Sequence, residues 1–314
     1  MINVVKYHEG LKSHWNAFVA HSKNGTFLFD RNFMDYHADR FTDFSLLFYD
    51  KNKLIALLPT NIQNNVIYSH QGLTYGGFIT DHNMKAATML ECFTQLKSLL
   101  TENGINSLIY KTIPYIYHTH PAEEDLYALF RNHATLFRCD ISSTIDLRQP
   151  IRYNRLRRRM IKRARENNIK ITEIDNLIEF HTLLATNLKN RHKVTPVHSP
   201  EELQLLRQRF PQNIRLFGAY DPNQTLHAVG MMFYTRTVAH FQCSSPSEEG
   251  RVNGAYDLLV DFLINHEHQD KHYFDFGVST ENNGHDLNEG LIALKEAFGG
   301  RAVCYNQYSL KISS

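Results

Sequence analysis

Residues 272–301 read His272-Tyr-Phe-Asp-Phe-Gly-Val-Ser-Thr-Glu-Asn-Asn-Gly-His-Asp-Leu-Asn-Glu-Gly-Leu-Ile-Ala-Leu-Lys-Glu-Ala-Phe-Gly-Gly-Arg301, and the order of elements within them decides the fold. Tyr273 to Gly277 alternates aromatic with small or polar residues, which predicts a buried strand with Asp275 on the face opposite Phe274 and Phe276. A loop of Ser, Thr, Asn and Gly follows. From Leu287 a short helix sets Leu291, Leu294 and Phe298 on one stripe. Gly299-Gly300 stops it, because glycine takes left-handed geometry without a Cβ clash. Lys295 then falls on the last turn, where the helix dipole favours a cation.

Upstream of this stretch, helices are expected at 175–191 and 199–210, the second opened by Ser199-Pro200-Glu201-Glu202 as N-cap, first-turn proline and first-turn acids. Strands at 213–220, 226–235 and 237–243 follow as an antiparallel meander. Then Ser244 to Tyr256 reads as a glycine-containing loop running into a helix with Val252, Ala255, Leu259 and Phe262 inward. Such a loop offers free backbone N–H groups and the positive end of a helix dipole, which suits a pyrophosphate.

Net charge is +2, unevenly placed: Arg152 to Arg165 holds eight basic residues and no acid. Of 34 basic side chains, 26 therefore lie elsewhere against 32 acids, a net of −6. The helix expected at 151–167 packs by Tyr153, Leu156, Met160 and Ala164 and turns its arginines and lysines outward, either as a solvated face or as a patch that steers an anion.

The first half predicts helices at 10–22, 31–40, 84–103 and near 122–131, with a hairpin of Phe44–Tyr49 and Leu54–Pro59 and strands at 66–69, 105–111, 134–138 and 141–147. Gly76-Gly77 lets backbone approach a ligand or makes a plain turn.

A length of 314 residues suits two domains, and 42% hydrophobic with 21% charged residues is the composition of a soluble globular chain. No apolar run approaches a membrane span and the N-terminus has no secretory pattern, so a cytoplasmic location is expected. Cys92, Cys139, Cys243 and Cys304 are far apart in sequence, which suits reduced thiols. His118-x-His120 and His266-x-His268 lack partners at ligand spacing, so no metal is expected. Gly-x-Ser-x-Gly, the phosphate-binding loop ending Gly-Lys-Ser/Thr, and Gly-x-Gly-x-x-Gly are absent, which argues against esterases, P-loop NTPases and Rossmann dehydrogenases.

Aromatic-Asp-aromatic-Gly, a loop, then Gly290, Leu291, Lys295, Phe298, Gly299 and Gly300 resembles the end of the acyltransferase domain in Fem-type aminoacyl and peptidyl transferases and their GNAT-fold relatives, with Leu294 where many members carry Phe. The strand, basic run and strand from Thr144 to Glu173 resembles the opening of that family's second domain, and the Trp15 helix, Phe27-Leu-Phe and a Tyr-Gly-Gly loop have counterparts in its first. The resemblance implies an α/β (α+β) fold of two tandem GNAT-like domains, 1–147 and 148–314, each a mixed, mostly antiparallel sheet flanked by helices. It implies N-acyl transfer, from acyl-CoA such as acetyl-CoA or from aminoacyl-tRNA, to an amine such as that of a cell-envelope precursor. The rival expectation is an inactive GNAT-fold module that binds RNA through helix 151–167.

By the same resemblance Lys295 serves the active cleft, against its reading as a solvent-exposed structural lysine. Asp275 accepts the amine proton or caps a loop, and Tyr305 or Tyr308 protonates the leaving group. Arg251 with the backbone of Asn253, Gly254 and Ala255 holds donor phosphate. GNAT enzymes use (Arg/Gln)-x-x-Gly-x-(Gly/Ala) here, and Tyr256 replaces the last small residue. Lys295→Ala is expected to lower turnover with an unchanged melting temperature.

Overall fold

The computed structural model describes residues 2–192, 198–267 and 270–312. Two compact units emerge: Met1–Ile141 with Thr280–Asp286 and Cys304–Ser314, and Ser142–Ser279 with Leu287–Val303. The chain changes unit inside three strands, Thr135–Asp146, Asp286–Leu287 and Arg301–Lys311, and between Ser279 and Thr280, whereas the sequence reading divides it once, at 147.

In the first unit Ile2–Lys6, Leu46–Asp50, Lys53–Leu58 and Ile79–Thr80 pair antiparallel. Ser107–Lys111 pairs antiparallel with 307–311 and parallel with Val66–Tyr68. Helix Ala86–Glu102 covers this core by Met89, Phe93, Leu96 and Leu100, apolar side chains spaced to share one face. Its stop is Gly104, at φ +67.

In the second unit the strands run in the order Lys170–Glu173, Ile214–Tyr220, Leu226–Tyr234, Val238–Pro246, Tyr273–Val278, then the 142–146 part of the strand shared with the first unit. Every pairing is antiparallel except that of Val238–Pro246 with Tyr273–Val278. The mixed, mostly antiparallel sheet of the sequence reading is what forms. Helices Arg155–Glu166 and Ala255–Asn265 cover one face over a core of Phe217, Phe241, Leu259, Leu263, Phe274 and Phe298. Helix Pro200–Arg209 carries the expected cap: Ser199 Oγ accepts from the Glu202 N–H and the Glu202 carboxylate accepts from the Ser199 N–H.

Four local expectations are corrected. Residues 135–146 form one strand, not two: Arg138 to Ile141 holds no glycine or proline, and its one turn-favouring residue, Asp140, has its carboxylate held by Arg138 and Thr280. Residues 248–253, expected as loop, form a helix capped by Ser247, whose Oγ accepts from the Gly250 N–H. The strand expected at 237–243 extends to Pro246. The basic helix packs by the expected Ala164, with Tyr153 just before its start, and by Ile161, while Leu156 is 42% exposed. It also forms ion pairs to the neighbouring helix, Arg157 to Asp257 at 2.7 Å and Arg165 to Asp261 at 2.8 Å.

Candidate active site

The second unit opens between its two parallel strands. Val238, Ala239 and His240 pair with Tyr273, Phe274 and Asp275, and the register then breaks on both sides. Met231 faces Cys243 while Met232 faces Phe241, so Gln242 is an extra residue on its strand. The partner strand shifts register against Ser142–Thr144 between Asp275 and Val278, where Gly277 sits at φ +75. A bulge bends its strand and re-aims side chains. With one directly beyond the last pair on each strand, the strands part. The resulting cleft, about 140 Å³, is lined by Gln242, Ser244, Tyr256, Phe276, Leu294 and Lys295 among others. Since a water occupies about 30 Å³ in the liquid, this is room for a group of roughly five heavy atoms.

Asp275 is 0% exposed, and its carboxylate accepts three hydrogen bonds: Ser142 Oγ at 2.5 Å, Thr144 Oγ1 at 2.7 Å and His240 Nδ1 at 2.8 Å. Burial alone pushes a carboxyl up, yet His240, Ser142 and Thr144 together hold this one below its ordinary value. An ionised carboxylate is acceptor only, so the proton of a neutral His240 lies on Nδ1 and the lone pair on Nε2. The ring passes Gly277, where an added Cβ would stand 3.4 Å from Cε1, and His240 is 8% exposed.

Lys295 is 7% exposed, not a solvated lysine. It reaches back from the last turn of helix Glu289–Ala297 and donates to the carbonyls of Gly277 and Val278, both at 2.8 Å. Burial lowers its pKa to about 8, against the opposing pull of Asp275. An ammonium has three N–H donors, and two are committed to these carbonyls. Gln242 adds a further polar group to the cleft: its Oε1 is buried and lacks a partner among the described residues.

The residues expected to hold donor phosphate do lie together, at the corner between helices Glu248–Asn253 and Ala255–Asn265. The corner is filled by protein. Gly254, at φ +87, abuts the basic helix so closely that a Cβ there would lie 2.2 Å from the Met160 carbonyl oxygen. A Cβ on Gly250 would lie 2.1 Å from the His227 carbonyl oxygen. Asn253 Oδ1 accepts the Ala255 N–H, Arg163 donates to the Val252 carbonyl, and Arg251 donates to Asn187 Oδ1. Asp257 adds a carboxylate on the first turn of the second helix. Its glycines face backbone rather than an empty cradle, so the corner does not fit a pyrophosphate. Tyr256 lines the cleft beside it, its hydroxyl 3.2 Å from Ser244 Oγ.

Tyr305 belongs to the first unit, where its hydroxyl lies 2.9 Å from that of Tyr117 and its ring packs near Tyr75. Among the described residues no group of three or more His, Cys, Asp and Glu is placed to hold a metal, and no helix is long and apolar enough to cross a membrane. His118 Nε2 meets the Ile113 carbonyl, and His268 of the second His-x-His pair lies outside the described residues. His240 and Gln242 were missed in the sequence, which holds no spacing signal for either.

No family model and no curated protein matches the chain in sequence. Solved structures do match in shape. The crystal structure of FemX aligns over 98% of this chain and 97% of its own at TM-score 0.70 and 9% identity. L-PGS from Bacillus licheniformis aligns over 96% and 92% at TM-score 0.63 and 13% identity. A tandem GNAT protein from the clavulanic acid biosynthesis pathway aligns over 100% and 99% at TM-score 0.55 and 10% identity. The chain shares the tandem GNAT-like fold of these structures.

Proposed function

We propose that the second unit is an N-acyltransferase whose cleft takes an activated aminoacyl ester carried on RNA and passes the aminoacyl group to an amine. The observation that carries this reading is the parting of the two parallel strands directly beyond the His240–Asp275 pair, with Lys295 and Gln242 on its walls. The amine nitrogen attacks the ester carbonyl, the carbon–oxygen bond to the carrier breaks, and an amide forms. His240 Nε2, directly or through one water, takes the amine proton and returns it to the departing hydroxyl. Asp275 fixes the tautomer that makes this transfer feasible and stabilises the imidazolium, as a carboxylate does for any histidine base. Lys295, and the Gln242 amide if turned to present its NH₂, offer donors to the carbonyl oxygen as it gains charge.

Two features favour an RNA-borne ester over coenzyme A. The corner at 251–255 is closed against a pyrophosphate. Arg155, Arg158, Arg159 and Lys162 stand exposed on the basic helix that closes it, and a row of cations suits a chain of phosphates. FemX and L-PGS share the fold, and the acceptor amine of a cell-envelope precursor is proposed by analogy with the family alone. The rival reading, an RNA-binding module without turnover, shares the basic helix and differs in the cleft.

Thermal shift tests the donor. Charged total tRNA is expected to raise the melting temperature at low salt, with the shift shrinking at higher salt, while acetyl-CoA leaves it unchanged. Stabilisation by acetyl-CoA with tRNA silent at both salt concentrations overturns the choice of donor.

A further inference from the structure

Two of the four cysteines, distant in sequence, lie on neighbouring strands. Thr135–Asp146 and Arg301–Lys311 lie side by side in the sheet. Within the second unit a Cβ on Gly300 would stand 3.0 Å from the Cβ of Ser143. Counting four residues back from Ser143 and four on from Gly300 arrives at Cys139 and Cys304, both in the first unit. An antiparallel register continued from that contact sets the two opposite each other, and the neighbouring Cys304 is one of the influences that push the Cys139 thiol up. Alternation along the second strand buries Val303 and Tyr305 and turns Cys304 to solvent, with Cys139 half-buried beside it.

Residues directly opposite in an antiparallel pair have Cα atoms about 4.5–5.5 Å apart, and a disulfide needs roughly 4.4–6.8 Å. Spacing of that kind falls within the range a disulfide spans. We propose that Cys139 and Cys304 are a dithiol modification site, which small disulfides oxidise reversibly to an internal cross-strand disulfide. The Cys304 thiolate attacks one sulfur of the small disulfide, whose sulfur–sulfur bond breaks and releases one small thiol. The Cys139 thiolate then attacks the Cys304 sulfur and expels the second. Two protein thiols are oxidised, the small disulfide is reduced to two thiols, and both protons leave with them. Exposure makes Cys304 the entry point and Cys139 the resolving group. Burial, then the neighbouring Cys304, pushes the Cys139 thiol up, so the resolving step speeds as pH rises.

Oxidised glutathione serves as the probe, applied to the full chain, with iodoacetamide blocking, intact mass and peptide mapping as readouts. The wild type is expected to lose two alkylatable thiols, carry no glutathione, show a 139–304 cross-link and recover both thiols in dithiothreitol. Cys139→Ser should hold one glutathione on Cys304, and Cys304→Ser should form no cross-link. A wild type that keeps glutathione on Cys304 while Cys139 stays alkylatable, reacts at neither, or cross-links another cysteine overturns the proposal.

Discussion

His240 Nδ1 donates to Asp275 Oδ2 over 2.8 Å, across the last pair of residues before the two parallel strands part. The bond sets the direction of the imidazole and keeps its second nitrogen as an acceptor, while Ser142 and Thr144 occupy the other carboxylate oxygen. Asp275, read from the sequence as a proton acceptor, is thereby spent on holding His240, since a fully buried, hydrogen-bonded carboxylate below its ordinary pKa is a weak base.

His240→Gln keeps a donor for Asp275 and removes the base. Turnover should fall by about 10²–10⁴, the usual worth of a general base, with melting changed by little. Asp275→Ala should instead destabilise the second unit by about 1–3 kcal/mol for each buried donor it leaves unpaired, at Ser142, Thr144 and His240. Steady-state rates and thermal melts on both variants check the pair. Loss of fold in both, with the remaining folded fraction fully active, would make the network structural only.

For Lys295 the structure revises the sequence expectation that Lys295→Ala leaves melting unchanged. Alanine would strand the Gly277 and Val278 carbonyls and leave a void, a cost of about 1–3 kcal/mol. Lys295→Met preserves the stem and isolates the charge. It should lower turnover at least tenfold, about 1.4 kcal/mol of transition-state stabilisation.

The pH dependence of Lys295 follows from its lowered pKa of about 8. A native chain releases this proton near pH 8 and an unfolded one near about 10.4, so the penalty of burying the charge is full below 8 and is relieved as pH rises through that window. Stability gains from this site above pH 8 while activity that needs the ammonium declines. A rate profile for wild type and Lys295→Met should show an alkaline limb near 8 in the first and none in the second. Activity that rises through pH 8 in the wild type would assign the neutral amine, not the ammonium, to the chemistry.

Gly254 has two reasons to be glycine: φ +87 and the Met160 carbonyl 2.2 Å from where a Cβ would stand. Gly254→Ala should cost more than about 1 kcal/mol and lower the melting temperature. A variant as stable as wild type would show that the basic helix does not close this corner.

Asp125 in the first unit is pushed up to about 6 by burial, while Tyr110 donates to its Oδ2 at 2.6 Å and so pulls it down. Between roughly pH 4 and 6 the native chain holds a proton that the unfolded chain has lost, so this site's contribution to stability falls as pH rises through the window. Denaturant melts of wild type and Asp125→Asn at pH 5 and 7 should show the wild type losing stability relative to the variant on going to pH 7. Parallel changes in the two proteins would contradict the assignment.

What the sequence disclosed was periodic or punctuated. The strand at 273–277, the helix behind it, its glycine stop, the last-turn lysine and the Ser199 cap each carry a local signal, and each is found. The bulge at Gln242 carries none, since a side chain that drops out of alternation looks like any other polar residue until its partner strand is known. His240 is one of 18 histidines, and only pairing with Asp275 distinguishes it. The basic run announced a helix, but which arginines face Asp257 and Asp261 depends on a neighbour about a hundred residues away.

The central claim is amide formation from an ester donor at the cleft, and label transfer tests it most directly. Total tRNA charged with labelled amino acids is mixed with the protein and an amine-bearing cell-envelope precursor, and the product is treated with mild base, which cleaves esters and spares amides. The account predicts base-stable label with wild type, at least tenfold less with Lys295→Met and with His240→Gln, and none with acetyl-CoA as donor. Salt-sensitive binding of tRNA with no base-stable product from the wild type would contradict it.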